Sequence, residues 1–281
     1  MSLNEIVSQT AIATASLRAL ACYEPEQKLR CNDDYAKLFL PKDQQDALKS
    51  PELRDKIKKQ IPKGMFEYVI VRTKYFDNVF NNALKIGTKQ IVFLGAGFDS
   101  RAYQFNRMLS DTKIFELDAK ATQEYKMACL QKNDVDVPQQ VSFIPTNFEK
   151  DDSISILSKY GYDKTEQTLF LWEGVTFYLF PYTVKRMLRI LRMNSGKGSR
   201  ICFDFQAIQK DDGLIDTGLK NEVIKFGIEI DKIDDFVQSH KYSVIEHITS
   251  EKMEQHFLTS QNGSILGRIM PMMNILLIEH E

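Results

Sequence analysis

Seven short apolar runs, separated by stretches with helical spacing, constrain this chain more than any other feature. They are QIVFLG (90–95), KIFELD (113–118), VSFIPTN (141–147), TLFLWEG (168–174), SRICFDF (199–205), YSVIEH (242–247) and MNILLIE (273–279). Helical patterns lie between them at 98–109, 119–131, 151–160, 181–193 and 230–240. Runs this short are strands, and strands that alternate with helices build a mainly parallel sheet covered on both faces. The expected fold class is therefore α/β, a doubly wound, seven-stranded, mostly parallel sheet. The last two strands are expected to form an antiparallel edge hairpin.

The region before the first strand reads differently. Residues 5–24 read as an amphipathic helix, and 33–61 as short, charged surface helices. From Met65 to Leu84 apolar side chains recur at spacings of three and four, the mark of a helix with one buried face. Arg72 falls on that buried stripe. A buried guanidinium needs an anion, either a core carboxylate or a ligand, unless its head group snorkels to solvent. Residues 1–63 are expected to form a helical lid, and 64–281 one compact ligand-binding domain.

Composition bounds the partners. Charged residues make up 27% of the chain and the net charge is −1, so no field of one sign would draw nucleic acid or an anionic membrane. The four cysteines form no C-x-x-C pair, which argues against a metal site and for reduced thiols in the cytoplasm. No apolar run approaches the ~20 residues that span a bilayer. Arg18 interrupts the N-terminal apolar stretch, which lacks the pattern of a signal peptide.

In open parallel sheets, ligands bind beyond the carboxyl ends of the strands. The first such end, GAGFDSR (95–101), has Gly95 and Gly97 but places Ser100 where a dinucleotide turn has its third glycine. Asp99 lies where phosphates would sit. A P-loop is absent, because Leu191 occupies the place of the glycine upstream of Gly196-Lys197. The turn suits a nucleoside without phosphates. Asp118, ending the second run 23 residues after Gly95, is placed to take both ribose hydroxyls. Asn147 and Phe148 offer an amide and a ring for an adenine edge and face. Alone, each is a common structural feature: a tight turn, a helix cap. In order on successive strands, they point to S-adenosyl-L-methionine. Arg72 then has an anion in the ligand's α-carboxylate, which an arginine fork binds well. Glu173, at the end of the fourth run, faces the ammonium or sulfonium side, or else pairs with Arg72 itself.

These same stretches resemble the leucine carboxyl methyltransferase family over nearly the whole chain. TAIATASLRAL and CNDDYAKLFL resemble its N-terminal helical region, and RTKYFD (72–77) its arginine helix. IVFLGAGFDSRAYQF resembles its Leu-Gly-Ala-Gly-x-Asp-[Ser/Thr]-Arg motif. FELDAKATQEYKMACL resembles its acidic second strand with the lysine helix that follows, and LFLWEGVTFYL its Glu-Gly-x-x-x-Tyr-Leu stretch. The resemblance implies a Rossmann-like class I methyltransferase fold. It places the cofactor contacts on Arg72, Gly95, Asp118, Asn147 with Phe148, and Glu173; Gly97 completes the turn. Two positions depart from the family pattern: Asn147 stands where many members have aspartate, and Ala119-Lys120 where many have proline after the ribose acid.

The acceptor is expected to be a small molecule or a peptide, methylated on a carboxylate. A carboxylate with a pKa near ~4 is already ionised at neutral pH and needs no general base. A hydroxyl acceptor, the alternative, would need one. The histidines His240, His247, His256 and His280 come late in the chain and are not assigned to the site. Tyr178 is the acceptor-orienting candidate, and no catalytic base is assigned. A nicotinamide-dependent oxidoreductase is the rival from another class, disfavoured by Ser100; a catalytically silent binding protein is a third. Arg72→Ala is expected to weaken cofactor binding far more than folding stability.

Overall fold

A computed structural model of the chain describes residues 6–209 and 223–280. Four helices precede the sheet: α1 (Gln9–Ala21), α2 (Lys42–Ala47), α3 (Pro51–Gln60) and α4 (Met65–Lys85). The caps explain two of these starts. Ser8 accepts a bond from the Ala11 N–H at the head of α1, and Ser50 does the same for Leu53 ahead of a proline at the start of α3.

Strand and helix then alternate as expected. The order is β1 (Gln90–Leu94), α5 (Arg101–Gln104), β2 (Lys113–Asp118), α6 (Lys120–Lys132), β3 (Val141–Pro145), α7 (Ser153–Lys159), β4 (Thr168–Trp172), α8 (Pro181–Met193) and β5 (Arg200–Ile208). After the undescribed stretch come β6 (Gly227–Glu229), α9 (Ile233–Ser239), β7 (Tyr242–Thr249), α10 (Ser250–Phe257) and β8 (Met273–His280). The main path of the sheet runs β3-β2-β1-β4-β5-β8-β7, with β6 added beside β5. Strands β1 to β6 pair in parallel, and β8 runs antiparallel to both β5 and β7.

The α/β, mostly parallel architecture is thus as read from the sequence, with local differences. Strand β6 is an eighth, unpredicted strand; three residues starting with glycine carry no periodicity to detect. Helix α10 follows β7 directly, with Thr249 as its cap and no glycine or proline between them. That helix separates β7 from β8, so the two are antiparallel neighbours but not a hairpin. Only β7 lies at the edge; β8 is interior. The 98–109 helix is shorter than expected, a single α-helical turn followed by a 3-10 turn at Asn106–Met108.

Strands β1 and β4 are buried along their full length, as central strands covered on both faces must be. One face joins Ile91, Phe93 and Leu171 to α4 and to Ala15 and Ala19 of α1 in a single cluster. The other packs Val92, Phe170 and Phe203 against α8. Among the described residues, no helix is long and apolar enough to cross a membrane.

Candidate active site

Beyond the carboxyl ends of β1, β2, β3 and β4 lies a cavity of about 570 Å³. Its volume falls in the usual range for small-molecule sites, roughly 300–1,000 Å³. Every residue singled out from the sequence lines it: Arg72, Gly95 and Gly97, Asp118, Asn147 and Phe148, Glu173 and Tyr178. Helix α1 crosses above, contributing Ala11, Thr14 and Arg18 to the lining.

The glycine turn is built by backbone geometry. Gly95 has φ +81°, and a Cβ there would sit 2.4 Å from a Val175 methyl, so only glycine fits. The Gly95 and Ala96 amides both donate to the Leu117 carbonyl, at 2.8 and 2.9 Å, which ties the turn to the end of β2. Asp118 comes next. Its Oδ2 accepts the Gly97 amide at 2.5 Å and its Oδ1 the Ala119 amide at 2.6 Å. The carboxylate is aimed along the turn by these two donors. Asn147 caps its own loop, its Oδ1 accepting from the Glu149 amide at 3.0 Å. Phe148 is half-buried against the apolar cluster on the α8 side.

Of the readings given for Arg72, the structure shows the pairing with core carboxylates. Its Nε donates to Glu173 Oε1 at 3.0 Å and its Nη1 to Asp204 Oδ2 at 2.9 Å, so it does pair with core carboxylates. Its Nη2 has no hydrogen bond among the described residues, and the side chain still lines the cavity. Gly174 keeps that end open: a Cβ there would lie 3.2 Å from Nη1 and 3.3 Å from Nη2. Burial opposes the charge of Arg72, but Asp204 and Glu173 outweigh it, and its pKa rises. Asp204 is fully buried and also accepts the Gly174 amide at 2.7 Å and the Tyr68 hydroxyl at 2.8 Å.

A second arginine organises the same corner. Arg101 Nε pairs with Asp77 at 2.6 Å, its Nη1 reaches both Asp99 and Glu173, and its Nη2 donates to the Thr73 carbonyl. Glu173 Oε2 lies 2.8 Å from Arg101 Nη1 as an ion pair and is buried without a hydrogen bond among the described residues. Burial pushes Glu173 up, but Arg101, Arg72 and Arg18 together hold its carboxyl below the usual range. Arg18 in turn pairs with Asp33 at 2.9 Å and donates to the Phe98 carbonyl at 2.6 Å, which pins α1 onto the glycine turn. Burial dominates at Asp77 and raises it to about 6 against the pull of Arg101.

In these ion pairs three arginines face five carboxylates: Asp33, Asp77, Asp99, Glu173 and Asp204. The charges that line the cavity itself are mixed, Arg18, Arg72, Lys150 and Lys225 with Asp99, Asp118, Glu149 and Glu173, so acid is available to a cationic group. S-adenosylmethionine has a sulfonium and an ammonium for that acid, a carboxylate for the Arg72 Nη2, and a ribose diol for Asp118. The residues present fit it.

Sequence reasoning missed Asp204, Arg101 and Arg18. A signal existed for each: a lone acid inside the apolar run ICFDF, a base after the glycine turn, and a base interrupting an apolar helix. Glu116, two residues before the end of β2, is structural. It forms a fully buried pair with Lys126 at 2.6 Å. None of the histidines lines the cavity; His247 bonds Asn274 at 2.7 Å and His256 lies against a different pocket.

Comparison with known proteins bears on the family and the fold. The model of the leucine carboxyl methyltransferase family matches residues 11–192. A protein of Mycolicibacterium paratuberculosis, named as a candidate S-adenosyl-L-methionine-dependent methyltransferase, is 30% identical over 72% of this chain and 66% of its own length. A protein of Mycolicibacterium smegmatis with the same name is 30% identical over 72% of this chain and 64% of its own. The chain thus spans just under two thirds of these relatives. A crystal structure of a candidate methyltransferase from Thermobifida fusca superimposes with a TM-score of 0.59 at 14% identity, covering 95% of this chain and 94% of that one, and so shares the fold. With the family model matched over residues 11–192, the chain belongs to the leucine carboxyl methyltransferase family.

Proposed function

We propose that this chain is an S-adenosylmethionine-dependent O-methyltransferase whose acceptor is a carboxylate on a small molecule or peptide. The observation that carries the reading is the constellation of Arg72, Asp118 and Glu173 around one cavity, beside a glycine turn that cannot hold a side chain. Bound there, S-adenosylmethionine supplies the methyl group. Arg72 and Glu173 hold the amino-acid end, Asp118 holds the ribose, and Asn147 with Phe148 borders the base. Helix α1 and the 3-10 turn at Thr176–Tyr178 exclude water from the reacting groups, where positioning and desolvation lower the barrier.

The acceptor class follows from what the wall offers. The cavity's carboxylates are engaged: Asp99 and Glu173 with arginines, Asp118 with backbone amides, Glu149 with the Thr183 hydroxyl at 2.6 Å. With no histidine among the described lining residues, an acceptor that arrives already ionised suits the site best. Tyr178 lies on the wall and orients it. The test is methyl transfer from labelled S-adenosylmethionine to panels of carboxylic acids and of phenols and alcohols. Methyl esters release methanol in mild alkali, and methyl ethers do not. Alkali-labile label on the acids is the expected result; alkali-stable label confined to the hydroxyl panel would overturn the carboxylate reading.

A further inference from the structure

Several residues that line the cavity are not among those assigned to the cofactor. Among the described charged residues lining it, Lys150 and Lys225 are the two cations without a carboxylate partner. Lys150 follows Asn147 and Phe148, on the side assigned to the base. Lys225 is held elsewhere: its amide and that of Phe226 both donate to the Phe177 carbonyl, at 2.7 and 3.1 Å. This docks Lys225 on the 3-10 turn that carries Tyr178 and that begins two residues after Gly174.

Around Lys225 the wall is apolar. Its Nζ lies 4.5 Å from the centroid of the Phe180 ring, and Phe180 stacks on Tyr182 at 5.6 Å and 12°. Phe180 is 44% exposed and Val223 52%, and both line the cavity, so open apolar surface borders it. Glu149 lines the same cavity, but its Oε2 accepts from Thr183 and Tyr182, so its charge is held by two hydroxyls. A lone cation bordering an aromatic platform complements a ligand with the reverse pattern: one negative head joined to an apolar body.

We infer that Lys225 and Phe180 form the acceptor subsite, and that the acceptor is an amphipathic monocarboxylic acid whose head is steered by Lys225 and whose apolar body lies on Phe180. This rests on the carboxylate reading above and narrows it. Lys225 is a specificity-determining residue under this assignment. Its ammonium pairs with the acid, while the ring and its neighbours remove the body from water.

Calorimetric titration tests it without turnover. Hexanoate, octanoate and decanoate are titrated into the full chain loaded with S-adenosylhomocysteine, and the series is repeated with Lys225→Gln, Lys225→Arg and Phe180→Ala. Affinity is expected to rise roughly three- to fourfold for each added methylene, as full burial of a CH2 group would give. Lys225→Gln should weaken every acid by roughly tenfold or more, in line with the loss of one charge-assisted contact. Lys225→Arg should restore binding, and Phe180→Ala should flatten the chain-length series. S-adenosylhomocysteine affinity should stay unchanged in all three variants. Equal affinity across the series, or undiminished binding in Lys225→Gln, would overturn the inference. The carboxylate reading is judged separately: alkali-labile methylation of acids with no dependence on apolar length would leave that reading standing and remove only this subsite.

Discussion

Arg72, proposed to hold the cofactor, is also part of the buried structure. From sequence its guanidinium needed an anion, and Arg72→Ala was expected to cost mainly cofactor binding. The structure changes that expectation, because Asp204 and Glu173 would both lose a buried partner. Breaking a buried pair by removing one member costs about 3–5 kcal/mol. Urea unfolding of Arg72→Ala should therefore show a loss of that order alongside weaker S-adenosylmethionine binding; wild-type stability in the variant would refute the pairing. Asp77 gives a pH signature. Burial raises it to about 6, above the value of ~4 that an exposed aspartate has. A raised acid means that the folded chain binds the proton more tightly than the unfolded one. The Asp77 contribution is thus greatest below about pH 4 and is lost as pH rises through about 6. Relative to Asp77→Asn, the wild type should gain stability as pH falls from 7 to 4. Unfolding midpoints that move in parallel for the two proteins across that window would contradict the assignment.

At the scale of elements, the site is a set of strand ends closed by one helix. The periodicity of α4, the run-ending acids and the glycine turn were all legible, because each rests on local rules: a 3.6-residue repeat, a strand followed by a helix, a positive φ that only glycine adopts freely. What could not be read was the pairing across elements. Arg101 of α5 meets Asp77 of α4, and Arg18 of α1 meets the Phe98 carbonyl, contacts separated by 24 and 80 residues. No local pattern specifies such partners. The placement of α1 has its own consequence. It is fixed to the glycine turn by Arg18 and to α6 by the Ser8 amide on Thr122, and its Ala11 Cβ lies 3.4 Å from where a side chain at Gly97 would begin. A ligand in the cavity would support this helix from below. Tryptic cleavage within residues 6–30 should slow when S-adenosylhomocysteine is added, followed by mass spectrometry of the released fragments. An unchanged cleavage rate would mean that α1 takes no part in binding.

At the scale of the whole molecule, the alternation of runs specified the layers and the direction of most strands, while strand order stayed hidden. Order depends on which edges meet, and the apolar run that becomes β8 looks the same whether it lies inside the sheet or at its margin. Strand β8 is the last strand along the chain, yet it lies between β5 and β7 and bonds to both. Its partner β5 begins 73 residues earlier, at Arg200 against Met273. Pairings this distant must close a long loop before they are rewarded. During synthesis, β7 therefore has no sheet to join until the final strand has emerged. The parallel half of the molecule, with the glycine turn and Asp118 already in it, can assemble first, and β8 then acts as the wedge that admits β7. Losing the C-terminal strand would strip two strands from the sheet rather than one, on the flank away from Asp118.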